Sequence, residues 1–316
     1  MEINHDAASS TTASVSETRT EPAAHGQGWR LWQRCAVRWL AGLAAPLAGA
    51  FIGVALVLTS TYQGASLWYI WAPLVVVLTT AAGAVFTYGL RRWTDLNNLH
   101  PVRKRHVAWP VTGIAVFALA VTNSTALLPG SEREQLPGGL LISFVLLAAL
   151  PAASVMYGVW HTAGSEPQLV SPGGELGLLV ALRRLLRRLL AAVGALVALS
   201  TLTTGAALTL QRSIPGSFPN RPPQYVLIFG GVGSLLVAMV YVPAWSALQI
   251  RGLRLCDELF RIEHLEDPVA ILNQAENRQK LAQILGADTS VWSDLQTGLA
   301  ILAPLLASAA AAFLPN

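Results

Sequence analysis

Charge vanishes from this chain for long stretches and returns in short bursts. Residues 39–90 hold 52 positions without Asp, Glu, Lys or Arg, and further uncharged runs cover 107–131, 135–160, 189–211, 222–250 and 295–316. A bilayer hydrocarbon core about 30 Å thick takes roughly 20 helical residues at about 1.5 Å each. With the polar turn 61–66 dividing the first run, the pattern predicts membrane helices near 39–60, 67–90, 107–128, 138–160, 189–210, 224–248 and 296–314. The expected fold class is therefore all-α, a polytopic integral membrane bundle with seven transmembrane helices.

Three segments stand outside that alternation. Residues 1–28 are polar, rich in Ser, Thr and Ala, and read as a disordered cytoplasmic tail without the apolar stretch of a signal peptide. "LGLLVALRRLLRRLL", 176–190, sets Arg183 and Arg187, and Arg184 and Arg188, four apart, with Leu178, Leu182, Leu185 and Leu189 on the other side. That pattern predicts an interfacial amphipathic helix at about 175–188 leading into the fifth span. Residues 249–295 predict a cytoplasmic helical hairpin. Its first arm continues the sixth span, with Asp257 and Arg261 four apart. Its second runs from an Asp267 cap and Pro268 to a Gly286 stop, with Glu276 and Lys280 as an outer pair. Eight acids make this hairpin the acidic part of its face, complementary to the basic 91–106 loop.

Composition agrees with lipid as the solvent. The chain is 53% hydrophobic and 12% charged, whereas soluble proteins carry about 25% charged residues. Nineteen of its 21 basic residues are Arg, which with abundant Ala points to a high-GC bacterium and its cytoplasmic membrane. The placement of charge orients the spans. Arg30, Arg34 and Arg38 precede the first; Arg91, Arg92, Arg103, Lys104 and Arg105 follow the second; Arg183, Arg184, Arg187 and Arg188 precede the fifth; Arg251 and Arg254 follow the sixth. The alternate loops are poor in Arg and Lys, so the positive-inside rule puts the N-terminus in the cytoplasm and the C-terminus outside. A central Arg costs about 2.5–3.5 kcal/mol to insert, so the register is firmly held. Trp39, Trp93, Trp109, Trp160 and Trp245 near the inner ends, and Trp68 and Trp71 near an outer one, match interfacial placement.

The +4 formal charge is thus topological, a set of anchors for anionic headgroups on the cytoplasmic side. A nucleic-acid partner is not expected, because the 16-residue stretch 91–106 offers one Trp and no recognition element. His100 and His106 have no Cys or carboxylate in step, and Cys35 with Cys256 forms no ligand spacing, so neither metal nor cofactor is expected. Gly230, Gly231 and Gly233 sit in an apolar run without the strand context of a phosphate loop.

No Asp, Glu, Lys, Arg or His falls inside a predicted span, with His106 and His161 at boundaries. Proton relays and retinal chemistry need such groups. Two polar clusters remain: Thr122, Asn123 and Ser124 in the third span, and Thr201 and Thr204 in the fifth. They offer either a polar cavity or hydroxyls turned back to backbone carbonyls. Small residues form packing faces: Gly49 and Gly53 in the first span, and Gly194, Ala198 and Gly205 in the fifth. The function expected is a non-enzymatic membrane assembly, signalling or effector component, working through helix packing, a homo-oligomer or a protein partner. The alternatives are a channel or Na⁺-coupled transporter using the polar clusters, and a lipid-modifying enzyme.

Overall fold

The computed structural model describes residues 25–60, 65, 67–99, 104–124, 136–165, 172–212, 224–260 and 267–286. The predicted seventh span, 296–314, and residues 1–24 lie outside the described residues. The described residues form seven helices and no strand: α1 (His25–Leu58), α2 (Trp68–Leu99), α3 (Lys104–Ser124), α4 (Leu136–Gly164), α5 (Pro172–Arg212), α6 (Gln224–Leu259) and α7 (Pro268–Leu285). The chain divides into a unit ending at Ala41, which holds the first turns of α1, and a unit from Gly42 onward. The helix bundle is built within the second unit.

Four helices are long and apolar enough to cross a membrane, in the stretches Trp68–Asn97, Leu140–Gly164, Gly173–Gln211 and Gly230–Leu259, and Gly42–Leu58 of α1 is a shorter apolar helix. The protein is membrane-embedded, and its described elements are all helices. Its surface has the matching character: Leu43, Leu47, Phe51, Val54 and Leu58 project outward at three- and four-residue steps, Phe51 being 76% exposed. Water would not tolerate so continuous an apolar stripe; lipid does.

The inward faces share one spacing. Buried positions run Val75, Leu78, Ala82, Val85 in α2; Leu141, Val145, Ala148, Ala152, Val155, Val159 in α4; and Leu179, Leu182, Leu186, Leu189, Val193, Leu196 in α5. Tyr241, Ala244, Leu248 and Leu255 continue the pattern in α6. Steps of three and four average 3.5 residues, the repeat that keeps one seam facing a neighbour at shallow crossing angles. All these residues join one continuous core reaching from Val57 and Trp71 at one end to Cys256 and Leu285 at the other.

Glycines set the closest approaches and reveal the directions. A methyl group at Gly49 would overlap the Thr79 carbonyl, one at Gly53 the Thr79 side chain, and one at Gly83 the Ala45 carbonyl. Rising positions on α1 meet falling positions on α2, so the pair is antiparallel. Gly89 backs onto Pro151 and Ala152, and Gly158 onto Trp93 and Leu96, making α2 and α4 parallel. Gly230 faces Thr201 and Gly233 faces Val197, so α5 and α6 are antiparallel. Val107 and Val111 of α3 pack with Trp93, Leu150 and Tyr157. The consequence is an up-and-down bundle in which the C-terminal ends of α2, α4 and α6 share one end with the N-terminal ends of α3 and α5. We call this the basic end.

Three local features refine the sequence reading. The first helix begins at His25. Residues 175–188 are the opening of one continuous 41-residue α5, whose length of about 60 Å is twice the hydrocarbon thickness. Of the four leucines expected on its apolar side, Leu182 and Leu189 are buried among other helices, whereas Leu178 and Leu185 are only partly covered and their neighbours Leu179 and Leu186 are buried instead. A helix that has protein to pack against does not need to lie flat on lipid. Lastly, Trp71 and Trp245 are core residues, at 7% exposure each, whereas Trp109 is 84% exposed.

The Gly contacts give a paired test. Alanine normally stabilises a helix over glycine by about 0.5–1 kcal/mol, and Gly194, whose added methyl would meet nothing within 4 Å, should follow that rule. Gly49→Ala and Gly83→Ala should instead cost about 1–3 kcal/mol each, because backbone atoms have to move. Denaturation of the three variants in detergent micelles, followed by circular dichroism, checks the reversal of sign.

Candidate functional site at the basic end of the bundle

The polar chemistry of the described residues concentrates at the basic end. α5 starts at Pro172 with Glu175 in its first turn, where the helix dipole favours a carboxylate. The Arg251 side chain, on α6, donates from Nε to Glu175 Oε1 at 2.9 Å, and both side chains are 11% exposed. Its Nη1 donates to the carbonyls of Thr162 at 2.8 Å and Ser165 at 3.2 Å, with Ala163 at 3.5 Å. Thr162 and Ala163 lie in the last turn of α4 and Ser165 directly follows it, where a helix end leaves carbonyls without intrahelical N–H partners. One guanidinium therefore neutralises a carboxylate at the start of α5, caps α4 and fixes α6 beside both. A buried charge is tolerable only when paired and hydrogen-bonded in this manner.

A second arginine holds α7. Asp267 caps that helix, its side chain accepting from the Val269 N–H at 3.1 Å. Gly286 ends it in the left-handed region, φ 63°, with its N–H directed to Ala282 and Gln283 carbonyls. The Arg183 Nη1 of α5 donates to the Leu285 carbonyl, adding charge to the helix C-terminus where cations are favoured. Leu285 and Ala282 are buried against the core. Asp257 of α6 accepts from Arg278 of α7 at 2.6 Å, across the hairpin. Glu276 and Lys280 pair at 2.6 Å on the exposed side, where the ammonium holds the carboxyl below its usual range by hydrogen bond and charge. The docking that the structure describes is thus on α5 and α6; residues 100–103 of the basic loop lie outside the described residues.

The polar residues singled out in the spans behave differently. Thr201 Oγ1 donates to the Val197 carbonyl at 2.9 Å and Thr204 Oγ1 to Ser200 at 2.8 Å. Ser200 and Thr203, in step with the buried α5 seam, likewise donate to Val197 and Leu199. Each hydroxyl proton goes to the preceding turn of its own helix. Thr122, Asn123 and Ser124 end α3, and their side chains lie outside the described residues, as do those of Lys104 and Arg105 and all of Arg103.

Among the packing candidates, Gly49 and Gly53 meet α2 and Ala198 is buried, but among the described residues a methyl at Gly194 would meet nothing within 4 Å and one at Gly205 only Val226 at 3.9 Å. Among the anchors, Arg184, Arg187 and Arg188 are exposed. The Arg92 guanidinium pairs with Asp95 at 3.0 Å and lies 5.3 Å from the Tyr88 ring centroid. Arg91 is exposed and reaches toward Gly42.

Sequence reading missed the Glu175–Arg251 pair and the inward role of Arg183. The available signal was Glu175 itself, an acid at the start of a leucine-rich helix. No group of three or more His, Cys, Asp or Glu that could hold a metal occurs among the described residues. In comparisons with family models, curated proteins and solved structures, nothing matches this chain.

Breaking a buried pair by removing one partner costs about 3–5 kcal/mol. Glu175→Gln and Arg251→Gln should each destabilise on that scale, and the double variant by less than their sum; a double-mutant cycle in micelles measures the coupling. Gly286→Ala should weaken α7 docking, because a side chain there strains the left-handed cap and meets the Arg183 guanidinium. Faster amide exchange confined to α7 would be the readout.

Proposed function

We propose that the chain is a seven-span protein of a cytoplasmic membrane, with its N-terminus and basic end in the cytoplasm and its C-terminus outside. In this reading it is a non-enzymatic assembly, signalling or effector component, working through the α6–α7 hairpin carried on the basic end. Anionic headgroups surround the exposed Arg184, Arg187 and Arg188, and a second copy or a protein partner meets the hairpin.

The observation that supports this reading is where polar contacts are spent. Arg251 and Arg183 hold the end of α4, the start of α5 and the end of α7 in place at one end of the bundle, while the α5 hydroxyls are turned into their own backbone. That is the arrangement of a rigid carrier for an extramembrane arm. Native mass spectrometry from mild detergent, paired with solute and ion flux in proteoliposomes, tests it. The expected results are a defined oligomer or stoichiometric complex and tight vesicles. A strictly monomeric protein whose vesicles leak, with leakage abolished by Asn123→Ala and Thr204→Ala, would overturn the reading in favour of a channel or transporter.

A further inference from the structure

The attachment of α7 is narrow. Of its 18 residues only Ala282 and Leu285 are buried. Leu281 packs partly buried beside them, and the Arg278–Asp257 pair that joins the helix to α6 is exposed, a kind of pair that contributes little. The Arg183 hydrogen bond to the Leu285 carbonyl falls at the same end as the buried residues. Docking is therefore gathered into the last turn of the helix.

Arg183 sits where that contact meets a lipid surface. The apolar run of α5 begins at 189, directly after Arg188, so Arg183 lies about 9 Å along the axis from the hydrocarbon edge. Headgroup regions add about 5–7 Å on each side of the core, and a flexible arginine side chain spans the difference. Arg184, Arg187 and Arg188 are exposed beside it, and each attracts anionic lipid by about 1 kcal/mol. A phosphate oxygen is a stronger acceptor for guanidinium than a neutral carbonyl, and it binds in a two-pronged geometry a single carbonyl does not offer.

We propose that α7 is a strap latched by Arg183, and that anionic lipid headgroups release it by competing with the Leu285 carbonyl for that guanidinium. A zwitterionic surface leaves the strap docked; an anionic one exposes the faces of α7 and α6 that were in contact. This rests on α5 crossing the membrane with Arg188 at its edge, and not on the identity of any partner.

The geometry supplies its own reporter. A Cβ built on Gly252 lies 3.9 Å from Leu285 Cβ, inside the span of about 3.5–4.5 Å that a disulfide needs. In the full chain carrying Gly252→Cys and Leu285→Cys, with Cys35→Ser and Cys256→Ala, oxidation in detergent should cross-link the strap. In nanodiscs the yield should stay high with phosphatidylcholine alone and fall several-fold when phosphatidylglycerol is included. Inorganic phosphate added to the phosphatidylcholine discs should leave it unchanged. Adding Arg183→Gln should lower the yield in both discs and remove the lipid dependence.

Equal yields in the two discs, a full yield with Arg183→Gln, or no cross-link in detergent would each overturn the proposal. Release by inorganic phosphate alone would overturn the assignment to lipid. Should the cysteine variant not fold, amide exchange of the unmodified chain over 282–286 in the same discs decides the matter. Faster exchange with phosphatidylglycerol is expected, and identical exchange contradicts the strap.

Discussion

A guanidinium has no stable place in hydrocarbon, and the architecture follows from that exclusion. Parallel and antiparallel contacts among α1 to α6 bring Arg91, Arg92, Arg183, Arg184, Arg187, Arg188, Arg251 and Arg254 to one end of the bundle. Arg212, closing α5, stands at the other. Arg251, which turns inward, meets a carboxylate and three carbonyls. The same residue type serves as anchor where it is exposed and as rivet where it is buried, and the difference lies in what the neighbouring helix end leaves unsatisfied.

Continuity across the membrane edge is the second theme. The seam of α5 runs without a break from Leu179, beside the basic cluster, to Leu196 within the apolar run. Outside the bilayer such a seam is driven by removal of apolar surface from water. Inside it, lipid is as apolar as leucine, and close packing at glycines takes over. Gly49, Gly53, Gly83 and Gly89 supply that closeness. One helix thus obeys two solvents with a single spacing, which is why α5 extends as a rod beyond the hydrocarbon.

Much of this is legible in residues read singly. Uncharged run lengths locate α2, α4, α5 and α6, and the Asp267, Pro268 and Gly286 signals mark α7 from cap to stop, because helix ends are local chemistry. Long-range contacts are not legible in that way. Arg251 and Glu175 are 76 residues apart, and nothing in either neighbourhood names the other. Arg183 looks like its exposed neighbours Arg184 and Arg187, and only the fold turns it toward Leu285. The expected α5 seam is right at Leu182 and Leu189 but not at Leu178 and Leu185, because adjacent leucines at 178–179 and 185–186 leave periodicity alone unable to choose between them. Trp245 reads as an interfacial anchor for a similar reason: its depth is encoded locally, its direction is not.

The central claim is that the basic end faces the cytoplasm and the opposite end faces out. Thr94, in the last turns of α2, and Thr59, at the far end of α1, are both exposed. Thr94→Cys and Thr59→Cys variants, treated with a membrane-impermeant maleimide in intact cells and in inverted vesicles, read the orientation directly. The predicted result is labelling of the Thr59 position in intact cells and of the Thr94 position only in inverted vesicles. Labelling of the Thr94 position from outside intact cells would contradict it.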